Sequence, residues 1–471
     1  VASICGRAAA EKPCPRSMAY GSGKQLTAIE ESHDEEENKA SAEAMNGTVS
    51  TCAGDAPSDM LEVDDADDGD KLTSAPSTQA VAPPEEEEQE GKPRPPRLLV
   101  IGCGPAGIAV VRNVASEFEV TVVEPKDYYE FTPGILRGFV DPECLENLQV
   151  SLSTVFDGFS VNHIRGQVTS LDSQAAEVRL MDTSDDVDGT SSGAPPKTVT
   201  LEFDYAVIAT GSQYAGGGLW KVTGASGEET LTTLASRRES YAKQLEELRE
   251  LKEAGGTAIL VGAGLVGVEF AAELAYHMPG LKVVLADRNK RVLPMLAQGA
   301  QEYAKAWLEE HHVELRLGQS MERGKEAESL GIGGPAIVYG CAGVRMRNEF
   351  TKPLDCLDER GSIRVNHALQ VMSHQASSDE DLRMLGPGRA HLCGEGRIFA
   401  VGDCVSVQGA AAPLGREVYP AEAAAEVVVK NLRASKTVAC LRMNAQVLSE
   451  LHLPLQSMTI CSLGPYDGVM V

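Results

Sequence analysis

Six glycines carry the clearest chemical signal in this chain, in two sets of three: Gly102-Cys-Gly104-Pro-Ala-Gly107 and Gly262-Ala-Gly264-Leu-Val-Gly267. At this spacing, glycines permit a tight turn and bring backbone amides close to a pyrophosphate lying at the positive end of a helix. An acid follows each set, Glu124 and then Asp287, near the offset of roughly 20 residues at which a carboxylate meets a ribose 2′-hydroxyl. Pro105 and Ala106 complete the first turn, and Arg288 follows the second acid. The chemistry implied is the holding of two dinucleotides.

The elements that must position these residues are legible around them. Apolar runs at 98–101 and 120–123 flank the first glycine turn, and runs at 258–261 and 283–286 flank the second. Each set therefore predicts strand, turn, helix and strand with an acid at its end. Between them, 177–180 and 198–201 alternate as short strands, and 205–211 is a buried strand ending in a glycine turn at Thr210-Gly211. Residues 237–253 predict an amphipathic helix with Leu245, Leu248 and Leu251 on one side. The run at 337–343 closes the second unit. A further strand ends in Gly402-Asp403, and an Ala-rich helix follows from about Pro420 to Leu432.

Composition narrows the function classes. The net charge is −27, and residues 1–96 hold 21 acids against 8 bases, a net of −13. Such acidic blocks predict a disordered, solvated tail, and the absence of a basic stripe speaks against nucleic-acid binding. The eleven cysteines contain no CxxC or CxxxxC spacing and the nine histidines do not cluster, so no metal site is expected. No apolar run approaches the ~20 residues of a membrane span. Thiols kept reduced point to an intracellular setting, cytoplasmic or mitochondrial, with a peripheral membrane location left open.

Read in order, the two glycine fingerprints, Ala209-Thr-Gly211 and Phe399-Ala-Val-Gly-Asp403 resemble the pyridine nucleotide-disulfide oxidoreductase superfamily over roughly residues 97–432. The segment Lys126-Asp-Tyr-Tyr-Glu-Phe-Thr-Pro-Gly-Ile-Leu-Arg137 and the closing Leu463-Gly-Pro-Tyr-Asp-Gly468 are most similar to one branch of it. That branch contains apoptosis-inducing-factor-like proteins, the ferroptosis suppressor protein and type II NADH dehydrogenases. The resemblance implies an α/β fold with two Rossmann-like domains, the NAD(P)H domain (216–343) inserted in a discontinuous FAD domain (97–215 and 344–432). An acidic tail (1–96) precedes them, and the start of a C-terminal interface domain (433–471) follows.

It assigns Gly102, Gly104, Pro105, Ala106, Gly107, Glu124, Thr210, Gly211, Gly402, Asp403, Pro420 and Ala421 to FAD. Gly262, Gly264, Gly267, Asp287 and Arg288 fall to the nicotinamide dinucleotide. Asp287 favours NADH by repelling a 2′-phosphate, and Arg288 keeps NADPH as the second choice.

The superfamily's dithiol relay is excluded by residue type, because 131–136 holds no cysteine. Electrons then leave the flavin directly, and the resemblance implies a small-molecule acceptor, a quinone. Glu269 matches a Glu near the nicotinamide and flavin, a candidate proton relay set against the plainer role of a first-turn helix-dipole carboxylate. Lys126 is a candidate for stabilising charge near the flavin, or a solvated lysine. Glu273, one turn after Glu269, is expected to be a surface or structural charge. Where type II dehydrogenases carry paired glutamines, this chain has Glu422 and Glu426, which would make a quinone pocket more polar. Reduction of a small electron-carrier protein, or a redox-sensing interaction role, would use the same nucleotide motifs. A homodimer and contact with a membrane surface are compatible with all of these readings.

Overall fold

The computed structural model describes residues 94–181, 197–214, 231–374, 392–410, 414–441, 448–451 and 459–471. Nearly all of the expected acidic tail lies outside the described residues, as does most of 374–396, where Ser, Asp, Gly and Arg predict a surface loop or a substrate gate.

The first apolar run becomes strand β1 (Arg97–Ile101), followed by the glycine turn, helix α1 (Pro105–Val114) and strand β2 (Glu119–Val123). β1 and β2 pair in parallel with Val100 opposite Val122. Strand β3 (Val161–Ile164) extends the sheet beyond β2. An antiparallel three-stranded sheet then forms from β4 (Gly166–Leu171), β5 (Ala175–Leu180) and β6 (Thr198–Glu202). Strand β7 (Tyr205–Ile208) returns to the other side of β1.

Helix α2 (Leu234–Glu253) leads into the second unit. Its start is set by a capping box, in which the Thr233 side chain accepts from the Ser236 amide and the Ser236 side chain takes the reciprocal bond. Leu245, Leu248 and Leu251 are buried, as their spacing predicts. The second fingerprint yields β8 (Thr257–Val261), α3 (Leu265–His277) and β9 (Lys282–Asp287), and then come α4 (Gln298–Glu310), β10 (Glu314–Leu317) and β11 (Ala336–Gly340). All four strands are parallel, in the order β10-β9-β8-β11.

The chain then rejoins the first sheet through β12 (Ile398–Ala400), giving five parallel strands in the order β12-β7-β1-β2-β3. Parallel strands are covered on both faces, which is why β1 and β8 are almost continuously apolar rather than alternating. Helix α5 (Val418–Leu441) begins two residues before the expected start. Pro420 falls in its first turn, where a missing N–H costs no helical hydrogen bond. The final hairpin, β13 (Ile460–Ser462) and β14 (Gly468–Met470), packs on α3 and α4 of the second unit.

Candidate functional site

Both cradles form at the carboxyl ends of parallel strands, where α/β sheets bind their ligands. Gly102 has φ +100°, and a Cβ there would fall 2.5 Å from the Ala209 carbonyl oxygen. A Cβ on Gly107 would fall 2.1 Å from the Gly102 carbonyl oxygen. Both positions are fixed by the protein's own packing. Gly104 is different: nothing lies within 4 Å of where its Cβ would stand. The second cradle repeats the pattern, with Gly262 at φ +118° and a Gly267 Cβ that would meet the Gly262 oxygen at 1.8 Å. Around Gly264 only the Met295 Cε comes near, at 3.7 Å. Met295 is largely exposed and overhangs the turn.

The two acids also behave alike. Glu124 accepts from the Cys103 amide (2.9 Å) and the Lys126 amide (3.1 Å), and Asp287 accepts from the Ala263 amide (2.7 Å) and the Asn289 amide (2.7 Å). Each carboxylate is thus pinned against the residue between the first two glycines of its own turn. Arg288 is exposed beside Asp287.

At the first cradle, three segments distant in sequence converge. Gly402 has φ +83° and its Cβ position lies 3.6 Å from the Ala106 Cβ and 4.0 Å from the Ala421 Cβ. The fingerprint helix, the Gly-Asp turn and the start of α5 therefore meet at one point, and Pro420 and Ala421 are buried there. Asp403 accepts from the Ser212 hydroxyl at 2.8 Å; burial raises its proton affinity, against the opposing effects of Ser212 and the Arg416 charge. Thr210 donates to Asn348 Oδ1 (3.0 Å), and Asn348, 1% exposed, donates in turn to the carbonyls of Gly361 (2.9 Å) and Cys404 (3.4 Å). Gly211, at φ +65°, faces open space. Asn348 and Ser212 are site-building residues that sequence reasoning missed, because neither sits in a motif.

Glu269 lies in the first half of α3. Its carboxyl accepts from the Ser462 amide of the hairpin at 3.0 Å. Burial pushes its proton affinity up to about 7, with Glu273 adding to the rise and Ser462 opposing it. A carboxyl so tuned can hold or release a proton at neutral pH. Lys126 is half-buried, with its ammonium 5.5 Å from the centre of the Tyr128 ring. Of the two roles expected for it, Glu273 is a structural rather than a surface charge. It is 3% exposed and takes a two-pronged bond from Arg137, 3.2 Å from Nε to each carboxylate oxygen and 2.8 Å from Nη2 to Oε1. Glu422 is half-buried on α5 and Glu426 is exposed.

Thiol chemistry finds no support. Cys103, Cys144, Cys341, Cys356, Cys393, Cys404 and Cys461 are free, and burial raises the proton affinity of Cys103, Cys341, Cys404 and Cys461, leaving them poor thiolates. Among the described residues, no three His, Cys, Asp or Glu side chains are grouped to hold a metal. Nor is any described helix long and apolar enough to cross a membrane.

The family model for pyridine nucleotide-disulphide oxidoreductases matches residues 96–381, spanning both cradles. The chain belongs to this family. It is an oxidoreductase whose cofactors are FAD and a nicotinamide dinucleotide, and the twin cradles fit such groups: each leaves its middle glycine open where a pyrophosphate would approach. Among curated proteins, the chain is similar to the type II NADH:quinone oxidoreductase of Staphylococcus aureus, 23% identical over 410 residues, covering 79% of this chain and 89% of that protein. Among solved structures, it resembles NDH2 from Plasmodium falciparum in complex with NADH, with a TM-score of 0.55 and 13% identity over 80% of this chain and 90% of that one. The sulfide:quinone oxidoreductase of Aquifex aeolicus shares the fold at a TM-score of 0.52 and 17% identity, over 78% and 82% of the two chains.

Proposed function

We propose that this family member is an NADH:quinone reductase that holds FAD at the Gly102 cradle and NADH at the Gly262 cradle. Bound FAD supplies a two-electron couple able to accept hydride and to reduce a quinone. The chain's own residues do the positioning. Gly102, Gly104, Gly107, Pro105 and Ala106 bring backbone amides to the FAD pyrophosphate, with Glu124 at the ribose and Thr210, Gly211, Gly402 and Asp403 completing the wall. The start of α5, at Pro420 and Ala421, turns the positive end of a helix toward the flavin, and Lys126 adds a positive charge near it. Gly262, Gly264, Gly267 and Asp287 hold NADH. The Asp287 carboxylate disfavours the 2′-phosphate of NADPH, while Arg288 offsets part of that preference.

One observation carries the quinone reading: Glu269 is a carboxyl with proton affinity near 7, held by the hairpin's Ser462 amide on the helix that follows the second cradle. Reducing a quinone to a quinol takes up two electrons and two protons; the hydride from NADH accounts for both electrons and one proton, and an acid titrating near neutrality can deliver the other. Ile460, Tyr466 and Met470 are exposed on the same hairpin. Such an apolar surface suits a lipid-soluble acceptor or the membrane surface that carries it.

The test is anaerobic absorption spectroscopy of the purified protein. Flavin bands that bleach on stoichiometric NADH and return on adding a short-chain quinone support this reading. Bleaching without return would overturn the quinone step and favour a protein acceptor or a redox-sensing role. A colourless protein that fails to take up added FAD would overturn the reading entirely.

A further inference from the structure

The Arg137–Glu273 contact joins two parts of the chain that the motifs treat separately. Arg137 sits on the 3₁₀ segment Thr132–Phe139, and Glu273 sits on α3 one helical turn after Glu269. The segment and the helix also pack through Phe139 and Phe270, whose ring centres are 5.2 Å apart. We propose that Arg137 and Glu273 are positioning residues for Glu269: their ion pair locks α3 to the Thr132–Phe139 segment and screens Glu269 from a second buried carboxylate. This rests on the reading of Glu269 as the proton donor.

Three features argue for it. A carboxylate only 3% exposed needs a partner, and removing Arg137, whose own side chain is 33% exposed, leaves the buried Glu273 charge without its guanidinium. The guanidinium engages both carboxylate oxygens, a planar geometry that fixes orientation as well as charge. The titratable neighbours are also few. Glu269 is acted on by Glu273 from its own helix, and it faces Cys461 and the Ser462 amide from the hairpin. Glu273 is faced by Arg137 from the 3₁₀ segment and by His277 from its own helix, whose Nε2 lies 3.3 Å from Oε2; Cys144 and Asp141 lie beside Arg137. Arg137 is thus the permanent positive charge that meets Glu273, and the state of this pair sets the field at Glu269.

The experiment is an infrared titration of the FAD-loaded protein, with the Glu269 carboxyl band isolated by difference from Glu269→Gln. It is run on the native chain, Arg137→Met and Glu273→Gln. Glutamine at 273 keeps an acceptor for Arg137 but loses the negative charge, so the Glu269 midpoint should fall by about one pH unit. Methionine at 137 leaves two carboxyls one turn apart that share protons, and their upper midpoint should lie above the native one by a similar amount. Opposite displacements support the proposal. Unmoved midpoints, or displacement in the same direction, would overturn it, and a merely structural pair would lower FAD content or melting temperature without splitting the directions. If Arg137→Met fails to fold, Glu273→Gln alone decides, since its midpoint must fall. The reading of Glu269 is judged separately: it fails if Glu269→Gln leaves the pH dependence of quinone reduction unchanged, whatever the infrared midpoints do.

Discussion

Replacing Glu269 with glutamine should stabilise the folded protein at alkaline pH while slowing its chemistry. The carboxyl has a proton affinity of about 7 in the folded chain against an ordinary value of 4.5. A raised folded-state value means that the neutral form favours folding. Its contribution is therefore fully present below the unfolded value and is lost as pH rises through about 7. Each pH unit between the two values is worth about 1.4 kcal/mol, so ionising Glu269 in place costs the native protein up to about 3 kcal/mol at pH 8. Glutamine keeps an oxygen that can accept from the Ser462 amide and never ionises. Denaturant unfolding of the FAD-loaded native and Glu269→Gln proteins should diverge across this window, the variant gaining about 3 kcal/mol by pH 8 relative to its standing at pH 4.5. In the same variant, loss of a general acid should lower quinone turnover by about 10²–10⁴-fold. A stability difference that stays constant with pH would refute the argument that Glu269 is held against ionisation.

The cradle makes a paired prediction: Gly104→Ala should fold normally but bind FAD weakly, because its side chain enters the open space, whereas Gly107→Ala should destabilise the fold itself, its Cβ colliding with the Gly102 oxygen. Thermal melting and flavin content separate the two outcomes, and equal melting temperatures would contradict the packing. Asp287→Asn should lower the NADH-over-NADPH preference in kcat/KM by about 10–100-fold, since the repelling charge goes while a carboxamide oxygen still accepts from the Ala263 amide. An unchanged ratio would show that Asp287 does not face the 2′ position. Asn348→Ala should cost about 2–3 kcal/mol of stability, because a buried link among Thr210, Gly361 and Cys404 is broken, and a loss below 0.5 kcal/mol on chemical unfolding would contradict that link.

What the sequence could express was whatever short-range sterics encode. Gly102 and Gly262 hold positive φ, and a Cβ on Gly107 or Gly267 would strike the carbonyl of its own turn, so these four were readable as motifs, and the acids 22 and 25 residues beyond the first glycines came with them. Apolar runs marked the parallel strands because both faces are buried. Pairings across the chain carry no such local mark. Asn348 meets Thr210 from 138 residues away, Ser462 meets Glu269 from 193 and Arg137 meets Glu273 from 136. Glu273 illustrates the difficulty: one turn past Glu269 on a helix, a lone glutamate has the pattern of a solvent-facing charge, and only the return of the 3₁₀ segment over α3 buries it. Asp403 was legible beside Gly402, yet its partner Ser212 became visible only once β7 and β12 lay side by side.

In the proposed reaction electrons from NADH reach a quinone through a flavin while Glu269 supplies a proton, and anaerobic stopped-flow spectroscopy follows its two half-reactions separately. Glu269→Gln should leave the bleaching of the flavin by NADH within about threefold of native while slowing its return with a short-chain quinone by about 10²-fold or more at pH 7. Equal slowing of both halves, or a return with quinone as fast as in the native protein, would contradict it.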